Sequence, residues 1–208
     1  MFYFIKTPGW LQLLCGACTW SIATKEKIIY LTFDDGPHPL VTPFVLDELK
    51  KINAKATFFC IGKNVVANPS VYERILLEGH AVGNHTHNHL NGWKTNDTIY
   101  LNDIAEASDH IKSTLFRPPY GRFTRFQIQQ LSLPRFKLKP IMWSVLSGDF
   151  DIKLTPLQCV ENILLNCFPG AIVVFHDSEK AFERLKFSLP EILRCLSDKG
   201  YRFDKIEG

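Results

Sequence analysis

Short apolar runs alternate with longer stretches of helical periodicity along most of the chain. Such runs, rich in Val, Ile and Phe, are typical of buried strands. We predict seven strands, at 28–33, 56–61, 80–84, 115–117, 141–145, 171–176 and 201–206. The segments between them predict six helices, at 43–51 after Thr42 as N-cap, 69–78, 96–113, 124–131, 156–167 and 179–199 before Gly200 as stop signal. Strands that alternate with helices predict a parallel α/β sheet, either closed as a barrel or doubly wound.

Composition fits one globular domain. Of the 208 residues, 46% are hydrophobic and 22% are charged, which is enough apolar material for a sizeable core. The formal net charge is only +3, and no Lys/Arg run occurs, so nucleic acid is not expected as a partner. We expect a monomer.

Residues 1–27 precede the first predicted strand and are apolar enough to be compared with a signal peptide. A lone Lys6 precedes the apolar stretch, which is interrupted by Pro8, Gly9, Gln12 and Trp20. No span reaches the ~20 residues that a membrane helix needs. We therefore expect neither a signal peptide nor a transmembrane segment, but a mature segment packed on the domain. A cytoplasmic location and export by another route both stay open.

The six cysteines include one C-x-x-C pair, Cys15 and Cys18. No second pair stands at zinc-finger spacing, and no redox-type βαβ pattern follows. Buried free thiols are therefore the favoured interpretation.

Polar side chains collect where the predicted strands end. The residues concerned are Asp34 and Asp35 after the first strand, His85, His87 and His89 after the third, Arg117 at the end of the fourth, Asp149 after the fifth, and His176 with Asp177 at the end of the sixth. In α/β barrels the carboxyl ends of the strands carry the active site. The pattern therefore predicts chemistry at this face, whereas a simple Asp-Gly-Pro turn is the alternative for the first pair.

The adjacent carboxylates and the histidine cluster predict a metal site. Because neighbouring side chains on a strand point to opposite faces, Asp34 and Asp35 should have different roles. On a strand, all three histidines would share one face; in a helical turn, only His85 and His89 would. We prefer this pair, since two imidazoles and a carboxylate make an open, catalytic type of zinc site. A polar loop is the alternative.

Five motifs resemble, in the same order, those of the polysaccharide deacetylases of carbohydrate esterase family 4, the NodB-homology domain. They are TFDDGP at 32–37, H-x-x-x-H at 85–89, R-x-P-Y at 117–120, WSVLSGDF at 143–150 and VVFHD at 173–177. The resemblance covers about 28–206, and it marks 28–208 as the catalytic domain after the N-terminal segment 1–27. It implies a distorted (β/α)7-type barrel with parallel strands. Segments such as ATFFCIGKNV resemble those of a compact bacterial subgroup of this family.

The resemblance also implies roles for individual residues. Asp35, His85 and His89 correspond to the metal ligands of the family, and zinc is expected, with cobalt or nickel as alternatives. Asp34 corresponds to the general base, held in position by Arg117.

On the same basis, His176 corresponds to the general acid and Asp149 to the partner that orients its ring. The backbone amide of Tyr120 corresponds to a donor to the oxyanion. We assign Pro119, Tyr120 and Trp143 to substrate binding.

The implied reaction is hydrolysis of an N-acetyl group on an amino sugar, in peptidoglycan N-acetylglucosamine or a chitooligosaccharide. The alternatives are removal of another N-acyl group, such as formyl, and a catalytically silent glycan-binding module. Leu146 and Phe150 depart from the pattern of the family and are expected to alter the wall of the sugar groove. Trp93 and Trp143 are candidates for stacking on sugar rings, with core packing as the alternative.

Overall fold

The structure, a computed structural model, describes residues 3–208 and contains an eight-stranded parallel sheet. The strands are β1 Ile28–Asp34, β2 Thr57–Cys60, β3 Ala81–Asn84, β4 Leu115–Phe116, β5 Lys139–Pro140, β6 Val145–Leu146, β7 Ile172–His176 and β8 Arg202–Phe203. Seven of them form a curled half-barrel in the order β5-β4-β3-β2-β1-β7-β6, while β8 pairs with the start of β1. The predicted fold class, a distorted (β/α)7-type barrel, is confirmed.

The helices pack around this sheet. They are α1 Gly9–Leu13, α2 Val41–Lys51, α3 Gly62–Ala67, α4 Pro69–Leu77, α5 Asp97–His110, α6 Arg125–Leu131, α7 Pro156–Leu164 and α8 Glu179–Asp198. Thr124 and Thr155 are the N-caps of α6 and α7, and each forms a capping box with the glutamine three residues later. The prediction missed α1 and α3, and it was wrong about Thr42, which lies inside α2 rather than at its N-cap.

The predicted strand at 141–145 is wrong, since β5 ends at Pro140 and β6 begins only at Val145. Between these strands, the carbonyl groups of Ile141 and Met142 accept hydrogen bonds from the guanidinium group of Arg117, at 3.1 and 3.0 Å. These two carbonyl oxygens therefore bind a buried side chain instead of extending a strand ladder. The interruption builds part of the site described below.

Three stacked phenylalanines fix the centre of the sheet. Phe33 of β1 lies between Phe58 of β2 and Phe175 of β7, with ring centroids 5.1 and 5.7 Å away. All three rings are fully buried, and each burial contributes about 1.5–3 kcal/mol. Because β1 runs between β2 and β7, this stack holds in place the strand that ends at Asp34.

The N-terminal segment pairs with the two ends of the half-barrel. Lys6 bridges to Val145 of β6, whereas Thr19 bridges to Ile141, which follows β5. Residues 1 and 2 lie outside the described residues, and the division of the chain into 1–27 and 28–208 stays a prediction. No helix within 3–208 is long and apolar enough to cross a membrane.

The expectation of free thiols is wrong for the C-x-x-C pair, since Cys15 and Cys18 form a disulfide. Only two residues lie between them along the chain, and the turn that follows α1 brings their Cα atoms to 5.4 Å, within the ordinary range for a disulfide. The other four cysteines are free, and of these only Cys60 and Cys159 are buried.

Candidate active site

One cavity of about 350 Å³ lies at the carboxyl ends of the strands. Seven of the residues assigned from the sequence line it: Asp34, Asp35, His85, His89, Tyr120, Trp143 and His176. Arg117 and Asp149 lie behind this lining as fully buried partners of Asp34 and His176. The fold thus brings residues of five separate motifs to one site.

The carboxylate of Asp35 and the rings of His85 and His89 form the one candidate metal cluster within residues 3–208. Oδ1 of Asp35 lies 3.2 Å from Nε2 of His89 and 3.8 Å from Nε2 of His85. Ligand atoms about 2.1 Å from a tetrahedral ion are separated by about 3.4 Å, so the donor set fits a divalent metal. Nδ1 of His85 lies 2.7 Å from the carbonyl oxygen of Arg117, and this contact leaves Nε2 available as the ligand atom.

Backbone turns, rather than strand or helix periodicity, bring these three ligands together. Asp35 follows the end of β1 with a φ of 82°, so its side chain reaches the same cavity as Asp34 instead of the opposite face. His85 and His89 do not share a helical turn; they lie in a loop in which Thr86 and His89 have φ values of 63° and 58°. The predicted ligand pair is close in space, but the geometric reason given for it was wrong.

Asp103 of α5 shapes this histidine loop and was missed by the sequence analysis. Its Oδ2 accepts hydrogen bonds from the backbone N–H groups of His87 and Asn88 at 2.9 and 3.0 Å. Its Oδ1 accepts a third bond from the side chain of Asn88 at 2.7 Å. Asp103 is buried in α5. An aspartate in a helix is usually exposed to solvent, so no local signal in the sequence distinguished this one.

The charge states of the cluster suit metal binding. Burial lowers the pKa of His85 to about 4, so its imidazole is neutral at pH 7. Burial alone would raise the pKa of Asp35, but the hydrogen bond from His89 and the nearby charge of His176 hold it below its usual range. A neutral imidazole and an ionised carboxylate are the forms that bind metals.

Asp34 is held by a fully buried arginine. Nη1 of Arg117 donates to Oδ1 of Asp34 at 2.7 Å and to the hydroxyl of Thr32 at 2.6 Å. The guanidinium also lies 4.0 Å above the ring of Phe59, and burial lowers the pKa of Arg117 while Asp34 opposes this shift. Among the described residues, no hydrogen bond reaches Oδ2 of Asp34, so this oxygen is available to a group in the cavity.

His176 and Asp149 form a second charged pair at the cavity. Nδ1 of His176 lies 2.8 Å from Oδ1 of Asp149, while Oδ2 of Asp149 accepts the backbone N–H of His176 at 2.7 Å. Burial would lower the pKa of His176, but Asp149, with Asp35 and Asp34, raises it to about 9. The Nδ1 contact orients the ring so that Nε2 is left for the cavity.

The walls of the cavity differ in part from those assigned from the sequence. Pro119 is buried and does not line the cavity; its neighbour Pro118 does, so this substrate-binding assignment is corrected. Trp93 does not line it either, since its indole N–H donates to the carbonyl of Phe123 at 2.8 Å on the exposed surface. Trp143, Leu146 and Phe150 are all at the cavity.

Asp177 is a further residue that the sequence analysis left without a role. Its Oδ1 accepts the backbone N–H of Gly36 at 3.0 Å, and its Oδ2 accepts the hydroxyl of Thr42. A Cβ at Gly36 would lie 2.1 Å from Oδ2, so only glycine fits there. Burial and the charge of Asp35 raise the pKa of Asp177 to about 8. The buried carboxyl group of Asp177 therefore fixes the turn that contains Asp35 and Gly36.

The parallel half-barrel and the cluster of one carboxylate and two imidazoles are typical of metal-dependent hydrolases. The sequence profile described as polysaccharide deacetylase matches residues 21–133. A peptidoglycan-N-acetylglucosamine deacetylase of Bacillus cereus is 36% identical over 194 residues, which are 90% of this chain and 90% of that protein. The chain belongs to the polysaccharide deacetylase family, and it is a glycan N-deacetylase.

Two other comparisons agree with this family. A chitooligosaccharide deacetylase of Azorhizobium caulinodans is 35% identical over 163 residues, covering 75% of this chain and 76% of that protein. A crystal structure of a peptidoglycan N-acetylglucosamine deacetylase in complex with 4-naphthalen-1-yl-N-oxidanyl-benzamide superposes with a TM-score of 0.87 and 31% identity, covering 96% of this chain and 95% of that one.

Proposed function

We propose that this protein removes the N-acetyl group from N-acetylglucosamine units of peptidoglycan or of a chitooligosaccharide, releasing acetate. The observation that supports this best is the placement of two proton-transfer groups in one cavity with the metal cluster. Asp34 has a free carboxylate oxygen, and His176 has its Nδ1 bound to Asp149. A hydrolysis of an amide needs one group that accepts a proton and another that donates one.

In this proposal Asp35, His85 and His89 hold the metal, which is zinc, with cobalt or nickel as alternatives. When bound there, a divalent cation supplies a water of lowered pKa and polarises the acetyl carbonyl. The neutral imidazole of His85 and the ionised carboxylate of Asp35 bind it without first losing a proton.

Asp34 accepts the proton of the attacking water through its free Oδ2. Because Arg117 donates to the other oxygen, the carboxylate is fixed in orientation before the substrate enters. The side chain of Tyr120 lies at the cavity wall, and its backbone N–H is the proposed donor to the oxyanion.

His176 donates a proton to the leaving nitrogen. The imidazolium is the form present at neutral pH, since its pKa is about 9, and Asp149 holds the proton on Nδ1 so that Nε2–H can be delivered. Unless the leaving nitrogen is protonated, it must depart as a strongly basic anion. The hydrolysis of an amide therefore depends on the proton from His176. Trp143, Leu146 and Phe150 form apolar surface against which a sugar ring can pack.

The test is release of acetate by the purified chain from acetylated chitooligosaccharides, peptidoglycan and non-sugar amides, each with and without chelator. We expect release from at least one of the two glycans, loss of activity with chelator, and recovery when zinc is added. Formate release from formylated amino sugars tests the other acyl group. Glycan binding without any acyl release, in metal-loaded protein, would indicate a binding module and contradict the proposal.

A further inference from the structure

Two cationic side chains line the cavity without an anionic partner, and the proposed mechanism uses neither of them. Arg122 follows the turn after β4, and Lys180 is the second residue of α8, which follows β7. No ion pair involves either of them within residues 3–208. The two acids that line the cavity are already engaged, Asp34 by Arg117 and Asp35 by the histidines.

Arg122 is held in place by stacking. Its guanidinium carbon lies 4.0 Å above the ring of Trp93, and the indole N–H of Trp93 is fixed by the carbonyl of Phe123 at 2.8 Å. Stacking occupies one face of the guanidinium, whereas its N–H donors lie in the plane of the group. None of these side-chain donors has an acceptor among the described residues. A guanidinium presented in this way suits a carboxylate, which can accept two parallel hydrogen bonds.

Lys180 supplies the second positive charge, in the first turn of a helix. The side chain of Ser178, the N-cap of α8, makes no capping bond, and it also lines the cavity. An ammonium group and an uncapped hydroxyl that line the same cavity at a helix N-terminus favour an anion at this end of it. The exposed position of Lys180 makes its contribution smaller than that of Arg122.

The order of the strands places these two cations on either side of the reaction centre. The metal ligands follow β1 and β3, and both of these strands lie between β4 and β7 in the sheet. We propose, on the basis of the function above, that the site selects a glycan that carries carboxylates on the sugars flanking the N-acetylglucosamine unit. A strand of alternating N-acetylglucosamine and N-acetylmuramic acid has this chemistry, whereas a chitooligosaccharide is neutral.

The experiment compares three substrates with the metal-loaded full chain. They are a peptide-free glycan strand with free lactyl carboxylates, the same strand with these carboxylates converted to methyl amides, and a neutral chitooligosaccharide. We expect kcat/KM for the acidic strand to exceed that for its amide by about tenfold or more, mainly through KM. A fourth substrate with peptide stems shows whether the carboxylates of the peptide can replace those of the sugar.

Substitution of the two cations should remove this preference and leave turnover of the neutral substrate within about twofold. We expect Arg122→Gln to cost about tenfold on the acidic strand and Lys180→Gln about two- to fivefold. Arg122→Lys keeps the charge without the planar fork and should give an intermediate loss. The matched controls Arg125→Gln and Lys186→Gln remove one positive charge outside the cavity and should keep the preference.

Equal kcat/KM for the acidic strand and its amide in the unmodified protein would overturn the proposal. Equal losses on acidic and neutral substrates in the Arg122 and Lys180 variants would also overturn it, as would a similar loss of preference in both controls. If no substrate releases acetate, the proposed function fails; calorimetric binding of the acidic strand and its amide then decides this inference separately.

Discussion

Replacement of Asp149 by asparagine tests whether His176 is the acid that protonates the leaving group. The substitution removes the negative charge next to Nδ1 of His176 and keeps one oxygen that can accept from Nδ1–H, now 2.8 Å away, while its NH2 group faces the backbone N–H of His176 that the other oxygen accepts. The carboxylate is fully buried, so its charge is poorly screened. The variant therefore lowers the proton affinity of the imidazole and also removes one of the two hydrogen bonds that position His176.

The size of the effect follows from the pKa of His176. Burial lowers this pKa, but Asp149, helped by Asp35 and Asp34, raises it from the ordinary 6.5 to about 9. This difference corresponds to about 3 kcal/mol in favour of the imidazolium. Without Asp149, the pKa should fall back towards the ordinary 6.5, at which only about a quarter of the rings are protonated at pH 7. The smaller protonated fraction and the less well-oriented ring together should slow amide hydrolysis by about 10²-fold.

The assay exploits the leaving group. An amine needs a proton to depart, whereas a nitrophenolate leaves unaided, so Asp149→Asn should slow N-acetyl hydrolysis much more than hydrolysis of nitrophenyl acetate. The alkaline limb of the kcat/KM profile for the amide should also move to lower pH, because the acid form of His176 is lost earlier. Asp151→Asn is the matched control, since Asp151 contacts Tyr3 and Lys153 rather than His176.

Equal losses on the amide and the ester, with an unmoved alkaline limb and unchanged metal content, would refute this reasoning. His176→Ala extends the same comparison, and we expect ~10²–10⁴-fold on the amide and far less on the ester. If this variant also slowed both substrates equally, His176 would act in binding or oxyanion stabilisation instead.

Three further predictions concern the metal cluster and the acids around it. Asp35→Ala and His89→Ala should each lower the metal content well below one ion per chain, as measured by elemental analysis, because each removes one of three ligands. Asp34→Asn should retain metal and fold but slow turnover by ~10²–10⁴-fold, since an amide cannot accept the proton of the water. In metal-free protein, the free energy of unfolding should fall as pH rises from about 4 to about 8, because the pKa of Asp177 is 3.8 unfolded and about 8 folded. Asp177→Asn should remove this part of the pH dependence, as measured by denaturant unfolding across that range.

Each of these predictions has an outcome that contradicts it. Full metal content in both ligand variants would exclude the assigned cluster. Near-normal turnover in Asp34→Asn would show that another group accepts the proton. For Asp177 the sign is fixed: the folded state binds the extra proton, so the stabilisation is complete below about pH 4 and is lost through pH 8. An identical pH dependence in Asp177→Asn and the unmodified chain would mean that this carboxyl is ionised in the folded state.

The periodicity of the chain was sufficient for the fold class and most of its elements. Buried parallel strands have continuous apolar runs, and β1, β2 and β7 show such runs beside clear turn signals. The strand predicted at 141–145 failed because its carbonyl groups bind Arg117, a residue distant in the sequence. Local patterns carry no information about such a competing donor.

The sequence alone determined which residue types meet at the carboxyl ends of the strands. Parallel strands place these ends at one edge of the sheet, independently of the conformation of the loops. Tertiary structure decided how they meet. The positive φ of Asp35 brings two adjacent carboxylates into one cavity, and the buried carboxyl groups of Asp103 and Asp177 hold the ligand loops through backbone N–H groups. Hydrophobic periodicity is a property of neighbouring residues, whereas a loop conformation depends on hydrogen bonds from distant ones, and these exist only in the folded chain.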